Sequence, residues 1–212
     1  MLFRSSAATI ERIEAQGRTA IALPLFAVTP LAWATPDPAD FDALLLTSAN
    51  AVRLAGPGLA PLAGLPVHTV GPATAEAARH AGLTIVGQGD GDGAALIAAA
   101  EAAGVRRALL LAGRERKLDA GGIVAQAIAV YASDPLAVAD EAIARLAGSV
   151  ALLHSPRAGA RLAELVVDRS TIRLAAISRA AADAAGPGWG AVGVAARPDD
   201  DSLIAVAAAL AD

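Results

Sequence analysis

Apolar and polar positions along this chain follow two rhythms, and the switches between them mark out most of its elements. Short apolar runs at Ala43–Leu46, Val67–Val70, Arg107–Leu111, Val150–Leu153, Arg173–Ile177 and Ala191–Val194 have the length of strands. Runs this continuous suit strands covered on both faces, as in a parallel sheet. Met1–Phe3, Ala20–Leu23 and Thr84–Val86 read as shorter strands, and Val124–Tyr131 as an apolar extended piece. Between them lie alanine-rich stretches with helical spacing. Ser5–Gln16 places Ile10 and Ile13 on one face and stops at Gly17. Ala51–Ala55, the stretch from Pro72 to Gly82, Ala94–Ala103, Leu136–Leu146, Pro156–Val166, Arg179–Ala185 and Ser202–Leu210 complete the set. Gly56–Pro66, Gly87–Gly93 and Gly113–Lys117 read as loops, and Trp33–Asp40 as an exposed connection. Alternating strands and helices predict an α/β fold with parallel sheets, whose ligands lie beyond the carboxyl ends of the strands.

One corner sharpens this. In Val67–Ala78 a strand meets Gly71-Pro72-Ala73-Thr74 and opens directly into a helix. Glycine permits the turn, and proline is pre-set for the first helical position. The free N–H groups of the first turn, with the helix dipole, favour an anion there. Thr47-Ser48-Ala49-Asn50 forms a second such corner, with Ser48 placed as a helix cap. The plan then recurs: Leu44–Ala49 matches Ala151–Pro156 at an offset of 107 positions, from 47 to 154. The same offset carries Val70 to Ile177, Thr74 to Ala181, Asp92 to Asp199 and Leu96 to Leu203. Pro30-Leu31 and Pro135-Leu136 correspond less closely, at an offset of 105 positions, from 30 to 135. Two similar α/β domains follow, and the sequence alone would divide them in tandem near Gly104.

Composition narrows the classes. With 55% hydrophobic and 18% charged residues among 212, the chain should fold and bury a sizeable core. Aromatics are only 3%, so Leu, Ile and Val must fill that core. The net charge is −4 and no Lys/Arg block with interleaved aromatics occurs, which argues against a nucleic-acid partner. Without cysteine there are no disulfides, thiolate metal sites or thiol nucleophiles. Charges at Arg4, Glu11, Arg12 and Glu14 argue against a signal peptide, and Pro24, Pro30 and Pro36 break the uncharged run Thr19–Pro36. A cytoplasmic protein with no membrane partner is expected, and weakly a monomer.

The ordered marks Leu44–Val52 (LLLTSANAV), Val70–Ala78 (VGPATAEAA), Leu109–Lys117 (LLLAGRERK), Val130-Tyr131, Ser155-Pro156 and Arg197–Leu203 (RPDDDSL) resemble the uroporphyrinogen-III synthase family over nearly the whole chain. The resemblance implies two similar parallel-sheet α/β domains joined by a two-stranded connector, with the active site in the interdomain cleft. It also moves the division. Residues 1–27 and 132–212 would form one discontinuous domain and 28–131 the other, with connector strands near 25–29 and 129–133.

The implied reaction is cyclisation of hydroxymethylbilane, a linear tetrapyrrole polycarboxylate, to uroporphyrinogen III. Water is lost and ring D is inverted through a spiro intermediate. Spontaneous closure gives the type I isomer, so the enzyme chiefly imposes conformation; positioning can supply about 7–11 kcal/mol of a barrier. No metal or cofactor is required. Tyr131, the only tyrosine, matches the family's connector tyrosine and could assist departure of the hydroxyl. On the residues alone it reads as packing on a connecting strand. Substrate carboxylates would meet Thr47, Ser48, Ala49, Asn50, Gly71, Pro72, Ala73 and Thr74, with Ser155 and Ser178 in the other half. These corners are equally ordinary helix caps. Arg4 and Arg114, and beyond them Arg53, Arg116 and Lys117, are candidates for charge pairing or for plain solvated surface. Ser178-Arg179-Ala180-Ala181 lacks the threonines that the family often has there, so Thr74's side is expected to bind more strongly.

Other readings are weaker. Gly87–Gly93 (GQGDGDG) lacks the Lys-Ser/Thr of a P-loop and the turn glycine of a calcium loop. His154-Ser155 lacks a nucleophile elbow. The alternative of another class is a non-catalytic two-lobed protein binding a small anion.

Overall fold

The structure is a computed structural model that describes residues 4–89, 92–116 and 118–212, with the side chains of residues 4–6 outside the description. The strand expected at Met1–Phe3 therefore lies outside the described residues. The chain divides into two compact units, one of Met1–Phe26 with Pro135–Asp212 and one of Ala27–Asp134. They are called here unit 1 and unit 2.

Unit 2 is built on a six-stranded sheet. Its strands are β1 (Phe26–Pro30), β2 (Ala43–Leu46), β3 (Val67–Val70), β4 (Ile85–Gly89), β5 (Ala108–Gly113) and β6 (Val124–Pro135), in the order β1-β6-β5-β2-β3-β4. The pairs from β6 to β4 are all parallel. The division between the units falls within β1 and at the end of β6, so these two neighbouring strands carry the chain across it. The helices described, in chain order, are α1 (Arg4–Glu14), α2 (Ala49–Leu54), α3 (Pro72–His80), α4 (Gly93–Ala102), α5 (Asp140–Ala144), α6 (Pro156–Leu165), α7 (Arg179–Ala185) and α8 (Asp200–Ala211).

The unbroken apolar runs pack as their composition demands. Successive residues of a strand face opposite sides of the sheet. Leu44, Leu46, Leu109 and Leu111 accordingly join Ala51 and Val52 of α2 and Ala78 of α3 in one core. Ala43, Leu45 and Leu110 join Leu96 and Ala100 of α4 in a second core on the other face. These six leucines of β2 and β5 are wholly buried, each contributing roughly 1.5–3 kcal/mol relative to exposure.

Unit 1 repeats the plan on a smaller sheet of β7 (Val150–Leu153), β8 (Arg173–Ala176) and β9 (Ala191–Val194), parallel and in that order. Leu153, Leu174 and Ala176 pack with Leu162 of α6 and Ala181 and Ala185 of α7. Ala175 packs on the opposite face with Leu203 and Ala207 of α8. The offset of 107 thus superposes β2, α2, β3, α3, β4 and α4 on β7, α6, β8, α7, β9 and α8. Two helices cover one face and one helix the other in both units.

Several expectations are corrected. Ala20–Leu23 pairs with no strand among the described residues, and Ile21 stands 76% exposed. Gly56–Leu62, expected within a loop, is 3-10 helical and buries Leu59 and Leu62. The strand expected to end at Val86 runs on to Gly89, because Gly87 opposite His68 leaves room for the imidazole. A side-chain carbon at Gly87 would overlap its Nδ1. Leu136–Leu146 shortens to the five residues of α5.

Candidate functional site

Because β5, β2 and β3 run parallel, their carboxyl ends share one edge of unit 2, and the next residues of each belong to that edge. After β2, Ser48 takes an extended backbone and its Oγ accepts from the Asn50 N–H at 3.2 Å, capping α2. Thr47, Ala49 and Asn50 flank it, all half-buried. After β3, Gly71 adopts φ 72°, a left-handed angle that glycine tolerates at no cost, and donates its N–H to Gly89 O at 2.7 Å. Pro72 occupies the first turn, and no side chain caps α3. The first-turn N–H groups of α3 therefore meet no side-chain acceptor, unlike those of α2. Pro72 and Ala73 are exposed, whereas Thr74 is turned inward and only 5% exposed. What this corner offers solvent is backbone rather than the Thr74 hydroxyl.

Tyr131 lies on β6 opposite Gly113, the last residue of β5, and its carbonyl accepts from the Arg114 N–H at 2.8 Å. The phenol covers Gly113 closely: a side-chain carbon there would stand 2.8 Å from Cζ and 3.0 Å from Oη. The ring is half-buried against the β2–β5 leucine core, and the hydroxyl makes no hydrogen bond among the described residues. Arg114 is exposed but engaged. Its Nε donates to Glu115 at 2.8 Å and its Nη2 to Asp134, while Glu115 also accepts from the Ser133 N–H at 3.4 Å. The carboxylates of Glu115 and then Asp134 raise the guanidinium above its ordinary value, and Arg114 lowers Glu115 below its own. Of the other cations named from sequence, Arg116 pairs with Asp119 and Arg53 lies exposed on α2. Arg4 opens α1, but its side chain, like Lys117, lies outside the described residues.

Unit 1 has an equivalent edge. Ser155 caps α6 by accepting from Ala158 N at 3.1 Å, and Ser178 caps α7 by accepting from Ala181 N at 3.3 Å. Asp199 caps α8 through Ser202 N at 2.8 Å, as Asp92 caps α4 through Ala94 N and Ala95 N at 3.0 Å. That cap lowers the Asp199 carboxyl, chiefly through the Ser202 N–H. Beside Ser155, His154 Nε2 lies 3.2 Å from Asp200, whose other oxygen accepts from Thr9 Oγ1 at 2.6 Å. Thr9 and Asp200 stand 191 positions apart, so no local pattern could have joined them.

The structure therefore gathers Thr47, Ser48, Ala49, Asn50, Gly71–Thr74, Arg114 and Tyr131 along one strand edge of unit 2, and Ser155 with Ser178 along that of unit 1. Two shallow aliphatic hollows, one lined by Ile143, Val166 and Ile172 and one by Val52, Leu59 and Leu83, include none of them. Convergent polar groups at strand ends are the better guide to chemistry than those hollows. Among the described residues no cluster of three or more His, Asp and Glu could hold a metal ion, and no helix is long and apolar enough to cross a membrane.

Comparison with known proteins agrees with this geometry. The chain matches the uroporphyrinogen-III synthase HemD family over residues 7–205. No curated protein matches it significantly. Among solved structures it is similar to the uroporphyrinogen-III synthetase of Helicobacter pylori, with a TM-score of 0.66 at 16% identity, covering 89% of this chain and 92% of that one. It is also similar to a mutant uroporphyrinogen III synthase of Thermus thermophilus, with a TM-score of 0.54 at 20% identity, covering 99% and 96%. At such identities these structures speak for the two-domain α/β fold; the family match, spanning nearly every element described above, carries the assignment. This chain belongs to the uroporphyrinogen-III synthase family.

Proposed function

We propose that this chain is a lyase that cyclises hydroxymethylbilane to uroporphyrinogen III, with loss of water and inversion of ring D, in tetrapyrrole biosynthesis. The observation that carries the reading is the family match over residues 7–205. The units of Phe26 and below with Pro135 onward, and of Ala27–Asp134, are the two domains of the enzyme in this reading. The chain acts as a cytoplasmic monomer, without nucleic acid.

The residues divide the task by their chemistry. Tyr131 Oη has no partner among the described residues and can donate to the departing hydroxyl, easing formation of the azafulvene cation. The uncapped first turn of α3 offers backbone N–H groups to a substrate carboxylate. Ser48, Ser155 and Ser178 already hold backbone N–H groups, and each hydroxyl hydrogen remains available to an acceptor. Arg114 reaches a substrate carboxylate by exchanging it for Glu115 or Asp134. Both pairs are exposed and screened by water, so the exchange is cheap.

The test is to supply freshly generated hydroxymethylbilane and resolve the uroporphyrinogen isomers. Type III product at a rate well above spontaneous closure is expected; type I product alone would refute the reading. Tyr131→Phe should lower turnover by about 10²–10⁴ if the hydroxyl acts as general acid, with the fold intact by circular dichroism.

A further inference from the structure

Arginine stands in an unfavourable place twice in unit 1. Arg157 is the second residue of α6 and Arg179 the first of α7. The positive end of a helix dipole lies in that first turn, where a cation is disfavoured and an acid welcome. Neither helix has an acid in its first turn, whereas α8 opens with Asp200 and Asp201. Counting back the offset of 107 takes 157 to Asn50 and 179 to Pro72, so the matching corners of unit 2 are uncharged.

The two cations belong to one edge. β7 and β8 are parallel neighbours, and α6 and α7 follow them onto the same face of the sheet. Both first turns therefore open at the strand edge that carries Ser155 and Ser178. The helices meet close by: a side-chain carbon at Gly159 would stand 2.5 Å from Ala181 O. Arg157 and Arg179 each lie two positions before that contact. The guanidinium of Arg157 is laid over the Phe26 ring, its Cζ 4.4 Å from the centroid, which limits how it can swing. Arg179 is exposed and makes no ion pair among the described residues; Asp183, one turn further along α7, forms none with it.

The backbone of these turns is already engaged, since Ser155 accepts from Ala158 N and Ser178 from Ala181 N. What the edge adds is side-chain charge. In a chain of net charge −4, two cations gathered beside two positive helix ends attract an anion locally. Guanidinium groups pair with carboxylates through parallel N–H donors, so two of them suit a ligand with more than one carboxylate.

We propose that Arg157 and Arg179 are substrate-binding residues, each pairing with a carboxylate of the linear tetrapyrrole. This rests on the function proposed above, which supplies the polycarboxylate. It gives unit 1 a role beyond its two serine caps.

The rival explanations are that Arg157 only fastens α6 to Phe26 and that Arg179 is plain solvated surface. Arg157→Gln and Arg179→Gln remove one charge each. Arg145 ends α5 and leads into the amino end of β7, so Arg145→Gln removes the same charge from the opposite edge. The readouts are steady-state formation of type III product and anaerobic calorimetry of uroporphyrinogen III binding. Arg157→Gln and Arg179→Gln should each raise KM and the Kd for uroporphyrinogen III by roughly fivefold, the upper end for an exposed ion pair, with kcat and melting temperature near wild type. Added salt should weaken binding by the wild type more steeply than by either variant. Arg145→Gln should bind as the wild type does. Wild-type KM and Kd in either of the two variants overturns the inference, as does an equal loss in Arg145→Gln. A lowered melting temperature with unchanged Kd in Arg157→Gln would reduce that residue to a fastening and overturns it likewise. If Arg157→Gln fails to fold, Arg179→Gln decides. Absence of type III product from the unmodified chain would instead refute the function, which keeps the two failures distinct.

Discussion

Gly113→Ala offers a test of Tyr131 that leaves the tyrosine in place. The added carbon would stand 2.8 Å from Cζ, 3.0 Å from Cε2 and 3.0 Å from Oη of the phenol. Carbon pairs settle at about 3.5–4.0 Å, so ring and strand must part by roughly 1 Å. Both residues lie in the paired strands β5 and β6, bound on through Arg114 N and Tyr131 O at 2.8 Å, so the half-buried ring moves rather than the backbone. Overpacking of this kind costs about 1–3 kcal/mol of stability, and partial exposure of the ring places this site at the lower end. A displacement of about 1 Å in a positioned group can cost on the order of 10²-fold in rate. The expected result is a kcat lowered by about 10- to 100-fold, with urea unfolding shifted by about 1 kcal/mol. The assay is single-turnover formation of type III isomer, run in parallel with Tyr131→Phe and with the double variant. If the glycine acts through the hydroxyl, the double variant should be no slower than Tyr131→Phe alone. Wild-type turnover in Gly113→Ala, or additive losses in the double variant, would refute the reasoning.

Three further outcomes follow from packing and burial. His68 is buried on β3 and desolvation lowers its pKa below the ordinary 6.5, so folding favours the neutral ring. Above that value the ring is neutral whether folded or not. As pH falls below 6.5 the unfolded chain takes up the proton first, and stability drops until pH passes the lowered folded value. The lowered carboxyls Glu115, Asp168 and Asp199 start from 4.5, 3.8 and 3.8 and act only below this window. Melting temperatures at pH 7.5 and 5.5 should therefore differ, and the difference should shrink in His68→Gln. Gly159→Ala would place a carbon 2.5 Å from Ala181 O and 3.2 Å from Ala185 N, both backbone, where α6 crosses α7. The helix-propensity gain of about 1 kcal/mol should be outweighed by overpacking, giving a net loss of about 1–2 kcal/mol by urea unfolding; a more stable variant would contradict that close approach. Thr69 Oγ1 is fully buried without a hydrogen-bond partner among the described residues, so Thr69→Val should stabilise unit 2 by about 1 kcal/mol. A loss would reveal a partner for the hydroxyl.

What could be read from sequence depended on how local its cause was. Ala43–Leu46 and Leu109–Leu111 were legible as buried parallel strands because each residue's burial is dictated by its own side chain. Ser48, Ser155 and Ser178 were legible as caps because a cap binds only two or three residues on. Ala20–Leu23 misled because apolar composition alone does not supply a pairing partner; Leu23 packs on the unit 1 core without joining a sheet among the described residues. Gly87 looked like the start of a loop because its reason for being glycine, the His68 ring on the neighbouring strand, lies nineteen places back and across the sheet. Thr74 faces inward because α3 buries Thr74, Ala75 and Ala78 as one stripe, which its position near the helix start concealed. The Thr9–Asp200–His154 network was invisible for a stronger reason, since it draws on three separate elements.

The discontinuity of unit 1 has a consequence for how the protein is made. Unit 2 is a single contiguous stretch, Ala27–Asp134, with two cores of its own on either side of its sheet. During synthesis it can close before β7, β8 or β9 exists. The residues before Ala27 must wait. Thr9 meets Asp200 only after 191 further residues have been added, and α1 waits as long for α8, the helix it packs on. A nascent chain stalled between Asp134 and Val150 would therefore carry one finished unit and one amphipathic helix still lacking α8. Because domains fold as units during synthesis, that interval is where a chaperone would have most to do.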